Sequence, residues 1–181
     1  MLTLELLDRP ARVWAWLSVA CVALLSFGLY LQHGVGLEPC PMCIVQRYVM
    51  ALMALLAGVG ALWSGRRSSL WVGSLLALLS SSGAYVAARQ SWLQWYPPEV
   101  VSCGRDFYGM IETFPLQRAI PMIFKGGGDC AAVDWTLLGG SIANWSFVCF
   151  VGMALLSLLT TVRLWRSTDP LKAANDASFD D

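Results

Sequence analysis

Along the 181 residues, four long apolar runs alternate with short polar breaks. The runs cover roughly Val13–Leu31, Ile44–Trp63, Leu70–Ala88 and Ala143–Trp165. Each matches the ~20 mostly apolar residues that a helix needs to cross a bilayer. The pattern therefore predicts an all-α membrane protein, a four-helix transmembrane bundle in a single membrane domain. Its connections are an outward loop over 32–43, a tight Ser64-Gly65-Arg66-Arg67 turn, and a long outward loop over 89–142; a tail follows over 166–181.

Eight of the nine tryptophans support these boundaries independently. Trp14, Trp16, Trp63, Trp71, Trp145 and Trp165 mark span ends, and Trp92 and Trp95 follow the third span. This is the interfacial belt that amphipathic aromatic rings form. Arg9, Arg12, Arg66, Arg67, Arg163, Arg166 and Lys172 gather on one side; the other has Arg89, Arg105, Arg118 and Lys125, all in its long loop. The positive-inside rule then makes both termini cytoplasmic. Ala54, Gly58 and Ala61 in span two, and Gly73, Ala77 and Ser80–Gly83 in span three, are the small residues that let helices approach closely. Between Phe107 and Phe124 an apolar stretch broken by Pro115 and Pro121 is too short to span and predicts a surface helix in the last outward loop. The first span is too long for a cleaved leader and is read as a retained anchor, and the polar, acidic tail after Ser167 as disordered.

Composition agrees with lipid as the solvent. Apolar residues make up 57% and charged residues 13%, against about 25% charged in soluble proteins. Net charge is zero, and without a basic stripe no nucleic-acid partner is expected.

The chemistry lies in the cysteines. Cys21 and Cys149 fall inside spans and read as small inert hydrophobes. Cys40 and Cys43 form a C-x-x-C at the head of span two, where Pro39 and Pro41 suit an extended lead-in and a first helical turn. The N–H groups at that end favour a thiolate at Cys43, and Arg47 stands one turn further on the same face. A reactive thiolate next to a fixed cation suits disulfide exchange. Arg47 also has a plainer reading, as a side chain reaching for the headgroups. Zinc is a weaker alternative: four thiolates would serve, but the single His33 ends span one, and no metal is assigned. Cys103 and Cys130 fit either a structural bridge of about 3–4 kcal/mol or a mobile exchanging pair, the latter favoured by Gly126-Gly127-Gly128 before Cys130 and Pro97-Pro98 before Cys103.

Together the four spans, Glu38-Pro39-Cys40-Pro41-Met42-Cys43-Ile44-Val45-Gln46-Arg47, Tyr96-Pro97-Pro98 and Gly128-Asp129-Cys130 resemble the disulfide bond formation protein B (DsbB) family over nearly the whole chain. In that family the DsbA–DsbB–quinone pathway keeps the bacterial periplasm oxidising. The resemblance implies a protein-dithiol:quinone oxidoreductase of the bacterial inner membrane. A reduced DsbA-like periplasmic thiol oxidase would attack Cys103–Cys130 at Cys103. Cys130 and Cys40 would then form the interloop pair. Cys40 and Cys43 would pass the electrons to ubiquinone or menaquinone held beside Arg47. Gln46 and Gln90 stand where better-known members carry an acidic residue and a histidine, which puts proton handling in doubt and leaves Gln90 a weak site candidate. A vitamin K epoxide reductase-like enzyme also sets C-x-x-C beside a quinone, but the second cysteine pair falling after span three favours the first reading. A non-catalytic bundle with structural disulfides is the rival from another class; it has no need of the Cys43–Arg47 spacing.

Overall fold

A computed structural model describes residues 10–63, 65–97, 131, 133 and 135–167. Four helices dominate it: α1 (Pro10–His33), α2 (Pro41–Leu62), α3 (Arg66–Trp95) and α4 (Ile142–Arg166). All four are long and apolar enough to cross a bilayer. The surface helix expected over Phe107–Phe124, Cys103, Cys130 and the tail after Ser167 lie outside the described residues.

The helices outrun the apolar runs because a helix need not stop where the lipid does. The extension is largest in α3, whose 30 residues reach about 45 Å at 1.5 Å per residue, against ~30 Å of hydrocarbon. Its last turns, Arg89–Trp95, therefore stand out as helix where the hydropathy places loop. A two-residue hairpin precedes α4: β1 (Thr136–Leu137) pairs antiparallel with β2 (Gly140–Ser141). Leu138 at φ 51° and Gly139 at φ 81° supply the two left-handed residues that a type I′ connection requires. Nothing in the apolar pattern signals it, since the loop lacks the usual Asn-Gly and puts a leucine in a conformation it rarely adopts.

Consecutive helices pack as neighbours, α3 with α4, α1 with α2 and α2 with α3, whereas α1 and α4 approach less closely. The core gathers Trp14, Leu17 and Cys21 from α1, Met53 and Ala57 from α2, Leu76 and Ala87 from α3, and Phe150 from α4. Small residues set the close crossings. A Cβ on Gly73 would meet Thr161 and the Trp14 ring, and one on Gly83 would meet Phe150. Ser18 donates to the Ala54 carbonyl across α1 and α2 at 2.8 Å, a bond that lipid cannot replace. Outside this core, large apolar side chains such as Leu55, Leu62, Trp71 and Leu78 are exposed. In water that would be an aggregation surface; in a bilayer it is the solvated one.

Candidate active site

The C-x-x-C motif is the N-terminal cap of α2. Cys40 has extended backbone and occupies the cap position, Pro41 opens the helix, and the Cys40 sulfur accepts the backbone N–H of Cys43 at 3.4 Å. The two-residue spacing of the cysteines is thus the cap-to-third-residue spacing at which a side chain normally satisfies an open helix N–H. Proline at the first position loses nothing, because its missing N–H would have had no helical partner. Met42, fully buried, anchors this turn against Val86 and Leu93 of α3. Cys40 is buried and Cys43 half-buried. Their sulfurs lie 2.9 Å apart, beyond the ~2.05 Å of a disulfide and close enough for the two to exchange a proton.

Arg47 does not reach for the headgroups. One guanidinium nitrogen donates to the Gly28 carbonyl at 3.0 Å and another to Gln32 Oε1. Both acceptors belong to α1, so the side chain is laid across the α1–α2 seam. Gly28 contributes through its carbonyl; a Cβ there would only reach ordinary van der Waals contact with the guanidinium, 3.7 Å from Nε. Both acceptors are neutral, so the positive charge remains available to an electron-rich ligand.

Two buried glutamines complete the arrangement. Gln90 of α3 donates through its amide nitrogen to Cys43 Sγ at 3.2 Å and to Cys40 Sγ at 3.3 Å. Gln46, one turn beyond Cys43 on α2, donates to Gln90 Oε1 at 2.8 Å. Four residues on, Gln94 accepts from Ser141, the capping residue of α4, at 2.5 Å, which ties the start of α4 to the same end of the bundle. Sequence reasoning left Gln46 and Gln90 in doubt and did not find Gln32 or Gly28. A signal for the glutamines existed: an amide inside an apolar span is costly and implies a partner or a function. For Gln32 and Gly28 none existed, because their importance lies in what another helix sends toward them.

These groups border a cavity of about 340 Å3 at the end of the bundle where α1 and α3 finish and α2 and α4 begin. Its wall is mostly apolar, including Leu24, Leu31, Met50, Ile142 and Trp145; the polar groups include Cys40, Cys43, Gln46, Arg47 and Gln90, with the acidic Glu38 also on the lining. Phe27 of α1 and Trp135 meet edge to face at 6.0 Å between ring centres, and both line it. Cys149 reaches the same wall, whereas Cys21 packs in the core with its sulfur 3.8 Å from that of Met153. The size and the ratio of apolar wall to polar groups suit a small, flat, lipid-soluble ligand.

Comparison with known proteins supplies the lineage. The family model described as disulfide bond formation protein DsbB matches residues 10–160. Disulfide bond formation protein B of Polaromonas naphthalenivorans is 67% identical over 163 residues, covering 90% of this chain and 98% of its own. That of Paracidovorax citrulli is 67% identical over 154 residues (85% and 88%). That of Azoarcus sp. is 55% identical over 139 residues (76% and 84%). With a dithiol capping the second of four membrane helices and a match spanning most of its length, the chain belongs to the disulfide bond formation protein B family.

Proposed function

We propose that this protein is a protein-dithiol:quinone oxidoreductase of the bacterial inner membrane, with its cysteine loops facing the periplasm and both termini in the cytoplasm. It takes electrons from a DsbA-like thiol oxidase through Cys103 and Cys130 and delivers them from Cys40 and Cys43 to ubiquinone or menaquinone. The observation that carries the reading is the cavity itself: one chamber brings together a dithiol, a cation with neutral partners and an apolar wall. A structural disulfide needs neither the cation nor the chamber.

The residues have separable tasks. The α2 N-terminus and the Gln90 amide face the sulfurs, so negative charge developing there is met by aligned donors. Arg47, held by Gly28 and Gln32, gives the cavity a fixed positive group against which a carbonyl oxygen can settle. The apolar wall keeps water from the dithiol. When Cys40 and Cys43 close to a disulfide, two electrons and two protons leave the pair. A bound quinone supplies an acceptor for both. The coupling is required energetically, since every 30 mV of unfavourable potential costs about 1.4 kcal/mol for a two-electron couple.

The test is steady-state turnover of the purified protein with a reduced thioredoxin-fold dithiol and a soluble quinone, followed by quinone absorbance. Turnover is expected in the parent and its loss in Cys43→Ser. Turnover that survives Cys43→Ser overturns the reading. In the same assay Cys130→Ser should accumulate a mixed disulfide through Cys103, and an adduct through Cys40 would reverse the order of the two pairs.

A further inference from the structure

Between the sulfurs and the rest of the bundle stands a short chain of two amides. Gln46 is 6% and Gln90 4% exposed, and an unpaired polar atom at that depth costs about 1–3 kcal/mol. A primary amide has an acceptor at one end and two donors at the other. Gln46 occupies the acceptor end of Gln90 at 2.8 Å, so the donor end is turned to the sulfurs. It meets both at nearly equal distance, 3.2 Å and 3.3 Å, while the sulfurs are 2.9 Å from each other. Three atoms thus form an almost regular triangle, with one nitrogen able to serve either sulfur without moving.

We propose that Gln90, its amide oriented by Gln46, is a positioning residue of the dithiol: it holds the two sulfurs together and stabilises negative charge on whichever carries it. The proposal rests on the reading of Cys40 and Cys43 as the redox pair. A hydrogen bond to a charged acceptor is roughly twice as strong as one to a neutral acceptor. The amide therefore favours the reduced pair, which can carry a thiolate, over the disulfide, which cannot. Closing the disulfide joins the sulfurs and releases two electrons and two protons to the quinone named above, and the stabilisation by Gln90 is given up in that step. The consequence is a more oxidising Cys40–Cys43 couple. Neither glutamine ionises, so the effect needs no proton of its own.

The experiment equilibrates the full-length protein in detergent with glutathione buffers, traps thiols by alkylation, and reads the Cys40/Cys43 peptide by mass spectrometry. Gln90→Leu is expected to shift the equilibrium toward the disulfide by about tenfold, or about 30 mV for two electrons. Gln46→Glu tests the orientation without touching a sulfur. Its carboxylate accepts the Gln90 –NH2, turns the amide over, presents oxygen to the sulfurs, and shifts the equilibrium the same way. Gln46→Leu, which removes the orienting donor without adding charge, should shift it in that direction too. A shift in Gln46→Glu with none in Gln46→Leu would trace to the added charge and overturn the proposal. If Gln90→Leu fails to fold, the two Gln46 variants decide. A role in packing only would leave the Gln46→Glu equilibrium within twofold of the parent, and that result overturns the proposal. The two readings fail differently. Loss of the relay shows as quinone reduction that survives Cys43→Ser. Loss of the present inference shows as quinone reduction that needs Cys43 together with an equilibrium indifferent to both glutamines.

Discussion

Arg47 shows how a single side chain acquires its position from residues that look unremarkable. A guanidinium near a span end would ordinarily turn toward water. Here the carbonyl of Gly28 and the amide oxygen of Gln32 hold it over α1, and it borders the cavity with Cys43. Because a hydrogen bond to a charged group contributes about 1.5–3 kcal/mol, Arg47→Ala should raise the KM for quinone by roughly 10- to 100-fold. Arg47→Lys should recover only part, since lysine keeps the charge and loses the planar fork. Stopped-flow exchange between the reduced partner and Cys103–Cys130 should stay within twofold of the parent in both variants. An equal loss in that exchange would mean that Arg47 supports the fold rather than the ligand.

The helices place this chemistry through close packing at a few small residues. Gly83 on α3 faces the fully buried Phe150 ring, with only 2.4 Å from an added Cβ to the nearest ring carbon. Gly83→Ala should therefore destabilise the bundle by about 1–3 kcal/mol, the usual cost of overpacking. Gly152 on α4 has open space where its Cβ would stand, so Gly152→Ala should leave stability within ~0.5 kcal/mol. Thermal unfolding in detergent checks both. Much of this level can be read from the chain, because apolar length, terminal tryptophans and small residues are local properties: Gly73 and Gly83 both sit at tight crossings. What could not be read depends on geometry between elements. The hairpin at Leu138–Gly139 lacks its usual residues, and α3 continues to Trp95 because a helix carries its own hydrogen bonds past the membrane face. The meeting of Gln46 with Gln90 requires the register between α2 and α3, which no single helix encodes.

In the whole molecule, the four chain segments that converge on the cavity come from far apart in the sequence: the end of α1, the cap of α2, the end of α3 and the start of α4. Up-and-down connectivity brings them to one end of the bundle, and the looser α1–α4 seam leaves space there for a ligand. Two of the five residues first singled out, Cys103 and Cys130, lie outside the described residues, whereas Cys40, Cys43 and Arg47 share one wall. The motif was legible because C-x-x-C coincides with the cap spacing of a helix. Its supporting amides were legible as unusual polar residues in apolar spans, but their meeting with each other and with the sulfurs was not, because it is a tertiary property. If the cavity is where a dithiol hands electrons to a quinone, the transfer must proceed without any partner protein. The decisive measurement is a single turnover: reduced, partner-free protein mixed anaerobically with excess quinone, with quinone loss and the Cys40/Cys43 peptide followed together. The disulfide between Cys40 and Cys43 should form in step with quinone reduction, one for one, and neither should occur in Cys43→Ser. Quinone reduction without that disulfide, or the disulfide without quinone reduction, would place the electron exit elsewhere.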